Sequence, residues 1–77
     1  MSAPTAERIR SDVAELLGVA PEGIDPEEDL LDRGLDSMRI MTLVERWRDG
    51  GAPALEFPDL AEEPVLSRWI EIVRGAA

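Results

Sequence analysis

Seventy-seven residues make one small domain, near the size at which a single core is marginal, and 44% hydrophobic content packs a helical bundle without enclosing a deep enzymatic cavity. With no cysteine and no histidine there is no disulfide framework, no thiolate and no imidazole base or ligand. A formal charge of −9 argues against nucleic acid, whose phosphates such a surface repels, and favours partners with basic patches. No apolar run approaches a membrane span and the N-terminus lacks a signal-peptide pattern, so the expected setting is the cytoplasm, with no membrane partner.

Met1 to Pro4 reads as a loose lead-in. A first helix is expected from near Thr5, a cap with Glu7 in its first turn. Ala6, Ile9, Val13, Leu16 and Leu17 form its apolar stripe, and Gly18 is its stop. Val19 to Gly23, with Pro21, reads as a connecting loop, pinned by Val19 and Ile24. Asp25-Pro26-Glu27-Glu28 then combines a cap, a proline at the first helical position and a capping-box glutamate. That predicts one short helical turn before Asp29, after which Leu30, Leu31 and Leu35 turn inward.

The stretch from Leu30 to Trp47 organises the chain. Gly34 supplies a flexible backbone point, and Asp36 and Ser37 are both good helix-starting residues. From Met38 the apolar spacing is helical, with Ile40, Leu43, Val44 and Trp47 on one buried face. Met38 falls opposite that face and Met41 on its flank, where a core helix is more often polar. Gly50-Gly51 ends this second helix, and Ala52 to Glu56 show no clear periodicity. Phe57 to Glu62 suggests a short turn anchored by Phe57 and Leu60. Pro64 fits the first position of a last helix, whose core stripe is Val65, Leu66, Trp69, Ile70 and Val73; Gly75-Ala76-Ala77 is a fraying end. There are no repeats and no strand-like alternation. The expected fold is all-α, a bundle of three main helices plus one or two short ones, in a single domain 1–77 with an ordered core of about 5–74.

Ser37 has no partner for a catalytic triad, and a lone hydroxyl without an adjacent base is a poor nucleophile. No catalytic residue and no metal ligand is identified, so the chain is not read as an enzyme. A hydroxyl at a helix start beside two uncovered methionines suits an attachment point with a docking surface around it. On these residues alone a plain helix cap is the simpler reading, and Asp36 competes for that duty.

Gly34-Leu35-Asp36-Ser37 resembles the attachment motif of carrier proteins, in which the serine receives 4′-phosphopantetheine. The continuation, Arg39-Ile40-Met41, Glu45-Arg46-Trp47-Arg48, Phe57, Leu60-Ala61-Glu62 and Pro64 to Trp69, is similar to the aryl carrier domains of siderophore-type nonribosomal peptide synthetases, which are often fused behind an isochorismatase. The resemblance runs from about Ile24 to Val73. It implies a phosphopantetheinyl transferase using magnesium and coenzyme A, with Ser37 as the modified residue and Asp36 positioning the transferase and its metal. Helix N-terminal N–H groups suit a phosphodiester there. The arm's thiol then carries an aryl acid as a thioester, loaded by an aryl-acid-activating adenylate ligase and delivered to a condensation domain or other downstream synthetase. A monomer is expected.

Met38 and Met41 are read as exposed, since flexible thioethers suit surfaces that meet several partners in turn. By resemblance Phe57 and Ala61 extend that docking patch, although a sole phenylalanine is also natural core. Arg39 is a candidate partner contact near the serine; Arg46 is read as solvated, any pairing with Glu45 being weak. The acidic run Asp25, Glu27, Glu28, Asp29, Asp32 and Asp36 lacks the spacing of a calcium loop and reads as a solvated rim facing the transferase. Trp47 and Trp69 are read as core. Two features depart from the family pattern: Val65 stands where a threonine cap is common, and the Gly50 to Ala54 loop is longer by about a residue. Two alternatives stay open, a peptidyl or acyl carrier with amino-acid or fatty cargo, and an acidic helical interaction module without an arm.

Overall fold

Helix α1 spans Ala6–Leu17 in the computed structural model, which describes residues 3–77. Thr5 starts it: the extended residue turns its hydroxyl to accept the Arg8 N–H at 3.1 Å, filling one of the donors a helix start leaves open. Gly18 ends it at φ 71°, a left-handed conformation that strains any residue with a Cβ. Ile9 and Val13 are fully buried, and Leu16 and Leu17 pack at the core's edge. The lead-in is not wholly loose, because Pro4 is half-buried and lines a cleft with Trp47 and Gly50. Met1 and Ser2 lie outside the described residues.

The two short segments after α1 exchange roles relative to expectation. Pro21–Gly23, read as plain loop, winds into one 3₁₀ turn whose Gly23 N–H donates to the Ala20 carbonyl at 2.9 Å. Pro21 favours this, since its fixed φ suits a first-turn position and its missing N–H leaves no donor unpaired. The helical turn expected at Asp25–Glu28 does not form. Its capping pattern is present, with Glu27 N–H donating to Asp25 Oδ1 at 2.9 Å and Asp25 N–H to Glu28 Oε1 at 3.1 Å. A single backbone bond, Glu28 N–H to Asp25 O at 3.2 Å, closes a turn instead. Side chains satisfy the turn's donors, and one bond is too few to nucleate a helix.

Helix α2, Ser37–Asp49, buries Ile40, Leu43, Val44 and Trp47, the face its spacing predicts. Ala52 and Leu55 follow in the segment without periodicity, yet both are fully buried. Ala52 N–H donates to Trp47 O at 3.0 Å and Leu55 N–H to Ala52 O at 3.1 Å, so turn geometry rather than periodicity points them inward. Helix α3, Phe57–Ala61, follows Glu56, whose N–H donates to Asp59 Oδ2 at 2.9 Å, and it buries Leu60.

Helix α4, Leu66–Gly75, begins later than the proline suggests. Val65 N–H donates to Glu63 O at 2.8 Å, closing a three-residue turn around Pro64 that leaves it outside the helix. Val65 occupies the cap position, extended at φ −129° and ψ 131°, with no side-chain bond; a β-branched residue accepts that backbone but brings no acceptor. At the far end Gly75 remains helical, and the half-buried Ala76 accepts the Ala54 N–H at 3.3 Å, so these residues do not fray. Trp47 and Trp69 meet edge to face at the core's centre, with ring centroids 6.1 Å apart and planes at 71°. Trp69 Nε1 donates to Leu60 O at 2.8 Å, tying α3 to α4. The result is the expected all-α bundle of three main helices and two short elements, without a strand among the described residues.

Candidate functional site

At the start of α2, two residues compete to be the cap and Asp36 holds the position. It is extended at φ −128° and ψ 178°, and its Oδ1 accepts the Arg39 N–H at 2.9 Å. Ser37 is therefore the first helical residue. It is exposed, and none of the side-chain hydrogen bonds among the described residues uses its hydroxyl. Of the first-turn N–H groups, that of Arg39 is taken by Asp36, while those of Ser37 and Met38 have no intrahelical acceptor, so a phosphodiester-linked group fits here.

The approach to Ser37 is held by Leu30 and Leu35, both buried. Leu35 N–H donates to Leu30 O at 3.2 Å, and between them Gly34 sits at φ 108°. Nothing lies within 4 Å of the place a Gly34 Cβ would occupy, so the demand for glycine is conformational, not steric. Leu31 does not tuck inward as expected. Its N–H donates to Asp29 Oδ1 at 2.9 Å, and the tight turn that sends Leu30 into the core leaves Leu31 47% exposed. Met38 is 81% exposed and Met41 43%; with Leu31 they are the exposed large hydrophobic side chains among the described residues, and all lie within a few residues of Ser37. Tandem leucines in a tight turn, of which one can face inward, were the available signal for Leu31.

The other candidates are less uniform. Phe57 and Ala61 on α3 are half-buried, Phe57 packing against the core. Arg39 is exposed, with Nη1 donating to Gly34 O at 3.3 Å beside the serine. Arg46 is not solvated as expected: Nη1 lies 3.2 Å from Asp12 Oδ1 and Nη2 lies 3.5 Å from Glu15, because α1 brings acids alongside. In the acidic run Asp25, Glu27, Asp29, Asp32 and Asp36 are exposed, whereas Glu28 is half-buried and 2.6 Å from Arg33 Nη1. Among the described residues there is no group of acids able to hold a metal ion, and no helix long and apolar enough to cross a membrane.

Sequence reading missed Asp12, which is only 4% exposed. It accepts from Trp47 Nε1 at 2.9 Å and from Arg46 at 3.2 Å, and Arg8 Nε lies 3.2 Å away. This network joins α1 to the C-terminal half of α2, about 14 Å along that helix from Ser37. Its sequence signal was an acid flanked by the buried positions Ile9 and Val13, opposite a tryptophan with an N–H to satisfy.

Comparison with known proteins gives the family. The phosphopantetheine attachment site family matches residues 7–73. The chain is 55% identical over 69 residues to an isochorismatase of Bacillus subtilis, covering 90% of this chain and 22% of that protein. It is 46% identical over 68 residues to the phenyloxazoline synthase MbtB of Mycobacterium tuberculosis, covering 88% of this chain and 5% of the synthase. It is 45% identical over 74 residues to the acyl carrier protein ScoB of Streptomyces coeruleorubidus, covering 95% of this chain and 86% of ScoB. The chain thus spans a small fraction of the first two relatives and most of the third. No solved structure gives a significant match. A fold of the right class, a match across most of its length and a near full-length carrier relative agree: the chain belongs to the phosphopantetheine attachment site family, non-catalytic carriers that hold 4′-phosphopantetheine covalently.

Proposed function

We propose that Ser37 is the attachment residue and that the chain acts as one aryl carrier unit in nonribosomal peptide assembly, of the siderophore type or a related aryl-capped kind. One observation carries the assignment: Asp36 takes the cap, which leaves the Ser37 hydroxyl exposed and unbonded at the start of α2. Bound there, 4′-phosphopantetheine supplies a terminal thiol that can hold an acid as a thioester. This chain's own residues present and orient. The first turn of α2 faces the phosphodiester, Asp36 positions the transferase and its metal, and Leu31, Met38 and Met41 give partners an apolar contact beside the attachment point. Arg39, Phe57 and Ala61 border that contact. The exposed acids from Asp25 to Asp36 steer basic partners toward it.

Support for an aryl cargo comes from the relatives, an isochorismatase, a phenyloxazoline synthase and, at 39% identity over 67 residues, the pyochelin synthetase PchE of Pseudomonas aeruginosa. The partners on this reading are a phosphopantetheinyl transferase, an aryl-acid-activating ligase and a condensation domain, met in the cytoplasm. A second reading, an acyl cargo on the same serine, has one acyl carrier protein among the relatives behind it. Loading the modified protein with aryl-acid, amino-acid and fatty-acid ligases in parallel separates the two.

The primary test is intact mass after incubation with coenzyme A, magnesium and a broad-specificity phosphopantetheinyl transferase. Wild type should gain one phosphopantetheine and folded Ser37→Ala none. Modification of Ser37→Ala, or none of folded wild type, would overturn the assignment.

A further inference from the structure

The loop that presents Ser37 is clasped to the start of α4, and each side satisfies the other. Val65 gives α4 no side-chain cap, so the helix's first N–H groups need acceptors from elsewhere. Pro26 supplies one, its carbonyl accepting the Ser67 N–H at 3.0 Å. The next loop residue adds a charge-assisted bond, the Ser67 hydroxyl donating to Glu27 Oε1 at 3.0 Å, and it sets a carboxylate at the positive end of α4. In return Pro64, just before α4, accepts the Leu30 N–H at 2.8 Å. The carbonyl of that same Leu30 accepts the Leu35 N–H at 3.2 Å, and Leu35 immediately precedes the Asp36 cap and Ser37. An unbroken backbone relay therefore runs from α4 through Leu30 to the attachment serine.

We propose that Ser67 is a positioning residue for modification of Ser37: through Glu27 it holds the 25–35 loop docked on α4 and so fixes where the Asp36–Ser37 start of α2 stands when a transferase arrives. This rests on Ser37 being the attachment residue. Undocking lowers the fraction of molecules in the competent arrangement, which raises the apparent KM by the same factor and leaves the chemistry of a bound molecule untouched. Loss of one charge-assisted bond shifts the docking equilibrium by roughly threefold to tenfold, and the rise in KM reaches at most that factor.

The test compares wild type, Ser67→Ala and Ser67→Thr by amide hydrogen exchange and by transferase kinetics with coenzyme A. Ser67→Ala should speed exchange at Leu30 N–H while amides of α1 and of α2 beyond its first turn keep their protection, and should raise KM for the carrier with kcat unchanged. Ser67→Thr, which keeps the hydroxyl, should restore both. Unchanged exchange at Leu30, an unchanged KM, or a fall in kcat with the whole bundle losing protection would each overturn the clasp. Wild type that takes no phosphopantetheine overturns the attachment reading instead, and exchange at Leu30 alone then decides whether the clasp exists.

Discussion

Replacing Asp12 with alanine should be among the most damaging single polar substitutions in this chain, although it lies far from Ser37. The carboxylate is 4% exposed and is the acceptor for Trp47 Nε1 at 2.9 Å, while Trp47 itself is 1% exposed. Alanine leaves that indole N–H buried without a partner, a penalty of about 1–3 kcal/mol. The bonds to Arg46 and Arg8 add little, because those side chains are 34% and 66% exposed and solvent rehydrates them; together they contribute about 1 kcal/mol at most. The expected loss is therefore about 1–4 kcal/mol, against a total stability of roughly 4–12 kcal/mol for a chain of this length. In a domain this small, at about 4–8 °C per kcal/mol, that corresponds to a fall in Tm of about 4–30 °C. Asp12→Asn keeps one carbonyl acceptor and should lose about half as much. Thermal unfolding followed by circular dichroism measures both, and a Trp47→Phe background isolates the cause, since with no indole donor the cost of Asp12→Ala should shrink to the small ion-pair share. A Tm drop under about 2 °C for Asp12→Ala, or an undiminished cost in the Trp47→Phe background, would refute the reasoning.

Asp36→Asn separates capping from charge. Asparagine caps as well as aspartate, so stability should hold within about 0.5 kcal/mol of wild type, while the rate of phosphopantetheinylation falls if the carboxylate positions the transferase; an unchanged rate confines Asp36 to the cap. Met41→Asp alters a side chain that is 43% exposed, so folding and modification should persist while transfer to a downstream partner weakens. Transfer kinetics that do not change would remove the docking role. Raising ionic strength from about 0.01 M to about 0.15 M shortens the screening length from roughly 30 Å to 8 Å and should slow encounter with a transferase severalfold. A flat response would mean that the acids from Asp25 to Asp36 are incidental.

Helix faces were legible because periodicity is local: Ile40, Leu43, Val44 and Trp47 declare their burial by spacing alone, as do Leu66, Trp69 and Val73. Burial decided by turns was not. Ala52 and Leu55 point inward because two backbone bonds near the end of α2 curl the chain, and nothing in their spacing encodes this. Leu30 and Leu31 are identical side chains, so their opposite fates rest on the Asp29 turn and the bond to Pro64. Arg46 read as solvated and Asp12 drew no reading at all, because a polar residue on a helix is solvated unless a second helix closes over it, which is tertiary information. The proposed attachment region was legible as a helix start with uncovered methionines. How Asp36 and Ser37 divide the work needed geometry.

That division explains why the order of the two residues matters. A cap side chain bends back to the third N–H of its own helix and is consumed by it, whereas the next residue enters the helix with its side chain free. With aspartate first, the carboxylate is spent on the Arg39 N–H and the hydroxyl is presented. With serine first, the hydroxyl would be spent on the backbone and a carboxylate presented, which no transferase can modify in the same way. The same economy runs along α2. Its C-terminal half is pinned by Trp47, Arg46 and the buried Asp12, so its first turn can carry the exposed Ser37, Met38 and Arg39 without being needed to hold the bundle together. A site that several partners must reach in turn has to be open on every side they approach from. An open site contributes little packing, so its position must be fixed from behind, by the core face of α2 and by the loop clasped to α4.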